Sequence, residues 1–291
     1  MNPAPDWRKL AWHHGKFRVP ADWEITSYAI EERIGRLEFS TRRGFVALVG
    51  WEPCKQEPDR ETTMLAFLQR QAPAAGAEDK KRTRSLVTRT VGAFLIGHQD
   101  DARPCQALGY LPEQKTLIRW VFASAGGRLI EEVAVPILSS FEPNAGSLRE
   151  YAVFGFDLRL PKEFELEQMA VYPANVMLAF ESRAKARATF RRWGLPEVVL
   201  DGRSLPDFYA GFLARQHCRV SDVQPARFRG MDAARAAYRQ RPERQMERCM
   251  GRFWRNGEAW LWHNREEQRL YAFEQIGPRR APPLPIESVF A

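Results

Sequence analysis

The chain has 291 residues, 44% hydrophobic and 12% aromatic, with a formal net charge of +8. This apolar content excludes a disordered chain, and the length allows two domains with cores of their own. No apolar run reaches the roughly 20 residues of a membrane-crossing helix, and Met1 to Lys9 has no secretory apolar stretch, so no membrane insertion and a cytoplasmic location are expected.

In chain order, residues 17–19 alternate, Pro20 interrupts, and 23–25 resume an extended pattern. Residues 36–40 and 45–51 read as strands joined by the polar turn Thr41-Arg42-Arg43-Gly44. Residues 58–71 predict a helix with Asp59 near its start and Met64, Leu65, Phe67 and Leu68 on the apolar side. An Ala-, Gly- and Lys-rich loop over 72–84 follows, then strands over 85–96, 106–111, 116–123 and 128–135. Pro136 suits the first turn of a short helix, where no amide donor is needed. After a turn-forming stretch at 143–147 the order recurs, with strands at 154–160, 176–181 and 186–193 and a helix at 205–216. Further strands are expected at 223–229, 233–238, 246–254, 259–263 and 270–276, with a last helix near Pro285.

The recurrence extends to residues. Phe17-Arg18-Val19-Pro20-Ala21-Asp22-Trp23-Glu24-Ile25 aligns with Leu158-Arg159-Leu160-Pro161-Lys162-Glu163-Phe164-Glu165-Leu166 at an offset of 141. Leu37-Glu38-Phe39 with Leu178-Ala179-Phe180, and Arg128-Leu129 with Arg269-Leu270, keep that offset. Phe67-Leu68-Gln69-Arg70-Gln71 resembles Phe212-Leu213-Ala214-Arg215-Gln216, and Pro136 to Phe141 shares P-I-x-S-x-F with Pro285 to Phe290. Matches in one order are the mark of a repeat. The expected fold is α+β: two tandem similar modules, residues 1–148 and 149–291, each an antiparallel sheet with flanking helices.

Val19-Pro20-Ala21-Asp22-Trp23, Leu160 to Phe164 and the two S-x-F helices make each half resemble the PsbP-like fold, which includes the extrinsic photosystem II protein and the Mog-type factor that binds the Ran GTPase. The resemblance implies a module that binds other proteins or assists assembly and has no chemistry of its own. It carries over no functional residue. The tandem arrangement departs from those members.

Candidate chemistry is sparse. The four cysteines, Cys54, Cys105, Cys218 and Cys249, form no C-x-x-C pair, which fits reduced thiols in a cytoplasmic protein. With His13, His14, His98, His217 and His263 they lack the local spacing of a zinc site, so neither a metal nor a cofactor is expected. His98-Gln99-Asp100-Asp101 puts an imidazole beside two carboxylates, which suits acid–base work and equally a polar turn. No G-x-S-x-G, P-loop, G-x-G-x-x-G or H-E-x-x-H is present, so catalysis is not expected.

Of the 44 basic residues 36 are Arg, and residues 151–291 hold 23 of the 44 against 17 acids. Arginine is suited to bidentate contacts with carboxylate or phosphate. Arg227 to Arg255 is the densest stretch, with Trp254, Trp260 and Trp262 beside it, although Glu243, Glu247 and Glu258 dilute its charge. Trp260 and Trp262 share a strand face, which predicts core. Arg239, Arg241, Arg244 and Arg248 surround the polar connection at Pro242 and are the candidate binding residues. The sequence favours a non-enzymatic protein that recognises a protein partner. Nucleic-acid or polyanion binding through the Arg-rich half, or an enzyme with a cleft between the halves, are the alternatives. Oligomeric state stays open.

Overall fold

The computed structural model describes residues 6–71, 87–98, 104–123, 130–216, 218–240, 255–277 and 284–290. The chain divides into two compact units, Met1–Leu158 and Arg159–Ala291.

The first unit opens with a hairpin of β1 (Trp7–Trp12) and β2 (Gly15–Pro20) around a two-residue turn, His13-His14. These strands join β10 (Glu142–Pro143), β11 (Leu148–Val153) and β12 (Phe156–Pro161) in a five-stranded sheet ordered β10-β2-β1-β11-β12, with Ala11 opposite Ala152. Beyond Trp23 a seven-stranded antiparallel sheet begins. It takes in β3 (Glu24–Tyr28), β4 (Gly35–Thr41), β5 (Gly44–Pro53), β6 (Val87–Val91), β7 (Phe94–His98), β8 (Cys105–Leu111) and β9 (Thr116–Phe122), ordered β3-β4-β5-β9-β8-β7-β6.

One face of this sheet carries Leu37, Phe39, Val49, Trp120 and Phe122, all buried because strand alternation sends them to the same side. Trp120 lies stacked between Phe39 and Phe122, with centroids 6.2 and 5.5 Å away, and Phe17 of β2 meets its edge at 4.9 Å. The other face receives α1 (Arg60–Gln71), which buries Met64 and Leu68 against Leu108. Asp59 starts this helix by accepting the Thr62 amide at 2.7 Å, the N-cap bond its sequence position predicts.

A strand was expected over 128–135. Arg128 and Leu129 lie outside the described residues. The rest is helical instead: a π-turn, Ile130–Ala134, runs into α2 (Val135–Ser139). Pro136 lies in the first turn of α2, where a missing amide is tolerated, and the strand beside β5 is β9. Ile130, Ala134, Ile137 and Leu138 point inward, a helical spacing that the apolar residues satisfy better than strict alternation does.

In the second unit β13 (Phe164–Tyr172), β14 (Asn175–Ser182), β15 (Arg187–Gly194), β16 (Cys218–Phe228), β17 (Met231–Gln240), β18 (Arg255–Asn264) and β19 (Arg269–Gly277) form an antiparallel sheet ordered β13-β14-β15-β19-β18-β17-β16. Two helices follow β15: α3 (Pro196–Leu200) and α4 (Leu205–Arg215). Ser204 caps α4, and Phe208, Tyr209 and Leu213 pack it on Ala234, Ala236, Leu261 and Ala272. Small sheet residues let the aromatic helix face approach closely. The opposite face holds Phe180, Phe190, Phe273 and Trp262, closed by Phe290 after α5 (Ile286–Val289). Beneath α4, Glu274 is largely but not wholly buried, 3.3 Å from Arg191, and burial raises its carboxyl pKa against the pull of Arg191 and Arg187. Among the described residues no helix is long and apolar enough to cross a membrane.

Candidate partner-binding surfaces

The first candidate surface is in the first unit. Residues 29–34 leave β3 as an irregular loop held at several points. Its Glu32 carbonyl lies 2.6 Å from His14 Nε2, its Glu31 carbonyl accepts from Trp51 Nε1 at 3.2 Å, and the Glu32 carboxylate pairs with Arg149 at 2.7 Å. His14 also contacts the Gln114 side chain through Nδ1. Thus anchored, the loop turns Ile34 outward, 51% exposed. Gly35 admits the Trp51 ring, since a Cβ there would come within 2.6 Å of it.

Beside the loop lies an open depression of about 700 Å³ floored by Trp51, and next to it one of about 220 Å³ over Leu48, Gly50 and Leu117. Phe67 of α1 forms a wall, with the Arg119 guanidinium 4.4 Å above its ring. A Cβ on Gly50 would meet nothing closer than 3.5 Å, so the absent side chain leaves room in the floor. The result is a shallow apolar groove rimmed by Glu31, Arg36 and Glu52.

His13 sits under this loop. It is 3% exposed, packed 4.8 Å from Trp12 and 5.4 Å from Trp51, and its backbone takes φ 33°, unusual for a residue with a Cβ. Neither ring nitrogen completes a hydrogen bond. Burial pushes its pKa down to about 3, helped by His14 and Arg149 and opposed by the nearby carbonyls of Ala29 and Ile30.

The second surface is the outer face of β16, β17 and β18 in the second unit. Arg239 lies exposed on β17, directly opposite exposed Arg219 on β16 and Asn256 on β18. Next along the face come Asp222, Ala237 and Glu258, then Gln224, Arg235 and Trp260. Arg235 pairs with Glu258 at 2.7 Å and lies 5.2 Å over the Trp260 ring, whose Nε1 donates to Glu258 at 3.1 Å. Trp262 is buried, but Trp260 on the same face is only half-buried. The shared face did not make both core, because the aromatic cover of Phe228 and Phe290 centres on Trp262, at 4.6 and 4.8 Å, and leaves Trp260 towards the polar margin.

Of the four arginines expected to bind, Arg239 is thus on an exposed strand face; Arg241, Arg244 and Arg248 lie outside the described residues. Others of the run have structural partners. Arg227 pairs with Asp232 at 2.9 Å, and Arg229 donates to the Glu287 carbonyl at 3.1 Å and to that of Phe290.

His98 ends β7, while Asp100 and Asp101 lie outside the described residues. Cys105 is buried, its thiol pushed up to about 12, and burial lifts Cys218 to about 11, so neither is a ready thiolate near neutrality. Among the described residues no group of three or more His, Cys, Asp or Glu is placed to hold a metal. Sequence reasoning missed the groove. Its one local signal was the pair Ile30 and Ile34 within the otherwise charged connection Glu31-Glu32-Arg33.

No family model and no curated protein matches the chain. Solved structures with a likeness to it include cyanobacterial PsbP from Synechocystis sp. PCC 6803, at 14% identity, covering 46% of this chain and 82% of that one with a TM-score of 0.35. The immunity protein TplEi of the T6SS from Pseudomonas aeruginosa, complexed with "L" peptide, is 14% identical over 96% of this chain and 90% of that one, at a TM-score of 0.33. The Tle4–Tli4 complex gives 13%, 96%, 90% and 0.33. None of these likenesses transfers a residue role or a partner to this chain.

Proposed function

We propose that the chain is a binding protein that recognises a protein partner, with the groove of the first unit as its principal docking surface. The observation that carries this reading is the exposed Ile34 beside a shallow depression over Trp51, Leu48 and Leu117, bordered by charges of both signs. Partners of folded proteins dock on apolar centres with polar rims, whereas a small substrate calls for a deeper enclosure with convergent polar groups.

We further infer that the chain is a duplicated module with its second copy starting near residue 149. Supporting this, the two seven-stranded sheets share one strand order, and the hairpins 7–20 and 148–161 have equal strand and turn lengths. The bulge between Ile25 and Ser27 recurs between Leu166 and Gln168, and the pair Leu37–Val49 recurs as Leu178–Phe190, all at the offset of 141. The compact-unit boundary falls later, at Leu158, because β11 pairs with β1.

A photoreactive amino acid at position 34 tests the docking reading, with one at exposed Val87 as control. The expected outcome is a discrete protein adduct from position 34 alone, lost in competition with unlabelled wild-type chain. Equal adducts from both positions, or recovery of nucleic acid with a steep salt dependence instead of protein, would overturn it.

A further inference from the structure

The rim of the first unit's groove has a local charge unlike that of the whole chain. Glu31 and Glu52 make no ion pair among the described residues, whereas Arg36 pairs with Glu38 at 3.1 Å and Arg119 stacks on Phe67. An apolar projection flanked by cations would suit such a site. The second unit carries one. Among the described residues its Val198, Tyr172 and Leu195 are the three most exposed large apolar side chains, at 73%, 64% and 62%. They share a corner. The Gly194 amide donates to the Ala174 carbonyl at 2.7 Å, which sets the start of α3 beside the β13–β14 turn that follows Tyr172, and the Val198 amide donates to the Leu195 carbonyl at 3.0 Å. Leu195 has φ 54° and ψ 58°, the left-handed region that a leucine seldom adopts. That strained backbone holds its side chain out in water, which marks a surface kept for a contact. Two arginines border the corner. Arg269 lies opposite Gly194, with Nη1 3.6 Å from where a Gly194 Cβ would stand, and Arg203 closes α3 by donating to the Val199 and Leu200 carbonyls. Neither makes an ion pair among the described residues.

We propose that the α3 corner of one copy of the chain docks in the groove of a second copy. Leu195 and Val198 supply the apolar centre that the floor of Trp51, Leu48 and Leu117 lacks a cover for. Charge complementarity carries the choice of occupant. Arginines without an ion pair border the projection, glutamates without one border the depression, and exposed Glu197 on the corner has Arg36 on the rim as its counterpart. The contact joins two different surfaces, so each copy keeps a groove and a corner to offer, and association continues beyond a pair into a ring or a chain. The proposal rests on the reading of the groove as a protein-docking surface and names its occupant.

The test is sedimentation velocity of the purified full chain from micromolar to near-millimolar concentration. Wild type, Ile34→Asp and Leu195→Gly are run singly, and the two variants are also run as an equimolar mixture. Glycine suits the left-handed backbone, so Leu195→Gly removes the side chain without straining the fold. Thermal melts establish that both variants fold; if Ile34→Asp does not, Glu52→Arg takes its place. The expected result is concentration-dependent association of the wild type that weakens by about tenfold or more in each variant alone. The mixture should recover a dimer and stop there, because it holds one intact corner and one intact groove. A wild type that stays monomeric throughout, association retained by either variant alone, or a mixture that stays monomeric would each overturn the proposal. A monomeric wild type that still gives a discrete, competable adduct to another protein from position 34 defeats this proposal alone and leaves the groove to a different partner. Loss of both results defeats the groove reading as well.

Discussion

Acidification should destabilise the first unit through one residue, His13. In the unfolded chain its imidazole titrates near 6.5; in the fold it is held neutral down to about 3, because the charged form would be buried among Trp12, Trp51 and Tyr151 beside His14 and Arg149. Between those values the unfolded state binds a proton that the folded state refuses, so stability falls as pH drops from 6.5 towards 3 and is fully present above 6.5. The slope is about 1.4 kcal/mol per pH unit, which amounts to about 2 kcal/mol by pH 5 and about 4 kcal/mol near pH 3. Set against total stabilities of about 5–15 kcal/mol, that is a measurable weakening in mild acid, though not by itself enough to unfold the unit. His263, lowered by burial and by Arg265, acts in the same sense in the second unit; two carboxylates titrate elsewhere or in the opposite sense. Glu150, held low by Lys9 and Lys16, loses stability only below the ordinary carboxylate range, and Glu274, raised by burial, favours acid. The assay is denaturant unfolding at pH 7 and pH 5 for wild type and His13→Asn, a residue that tolerates the positive φ and does not titrate. The wild type should lose about 2 kcal/mol more than the variant between the two pH values. Equal losses would refute the reasoning, since they would place the acid sensitivity in some other group.

Trp23→Ala and Phe164→Ala, at buried positions 141 residues apart, should each cost about 3–5 kcal/mol in chemical denaturation; an unmoved midpoint in either would remove it from the core. Gly109→Ala should destabilise by about 1–3 kcal/mol, because a Cβ there would sit 2.6 Å from the Phe94 ring across the strand pair, and thermal melts would show it. Ser204→Ala removes the cap that accepts the Asp207 amide and should cost about 1 kcal/mol, read from the denaturation midpoint. Cys105 should resist iodoacetamide at pH 8 in the native chain and react once it is unfolded; rapid native labelling would contradict its burial.

The sequence by itself determined many of the sheet strands, the starts of two helices, and the burial of Trp23 and Phe164, but not β1, β13 or the break of residues 85–96 into the hairpin β6–β7. These are local matters: alternation puts Leu37 and Phe39 on one side, Pro20 and Pro161 end β2 and β12, and Asp59 and Ser204 sit where helix starts want an acceptor. Tertiary structure decided the rest. Residues 128–135 read as a strand, yet β5 pairs with β9 and residues 130–139 are helical, with Ile130, Ala134, Ile137 and Leu138 buried at helical spacing. Trp260 and Trp262 alternate identically, and only the docking of Phe228 and Phe290 over Trp262 separates the buried ring from the half-buried one. The groove and the buried state of His13 depend on contacts among the loop at 29–34, the turn at 13–14, Trp51 and Arg149, which are far apart in sequence. The engagement of Glu258 by Arg235 on the neighbouring strand likewise follows from strand register. Such pairings come from long-range strand register, which no local pattern of residue types encodes.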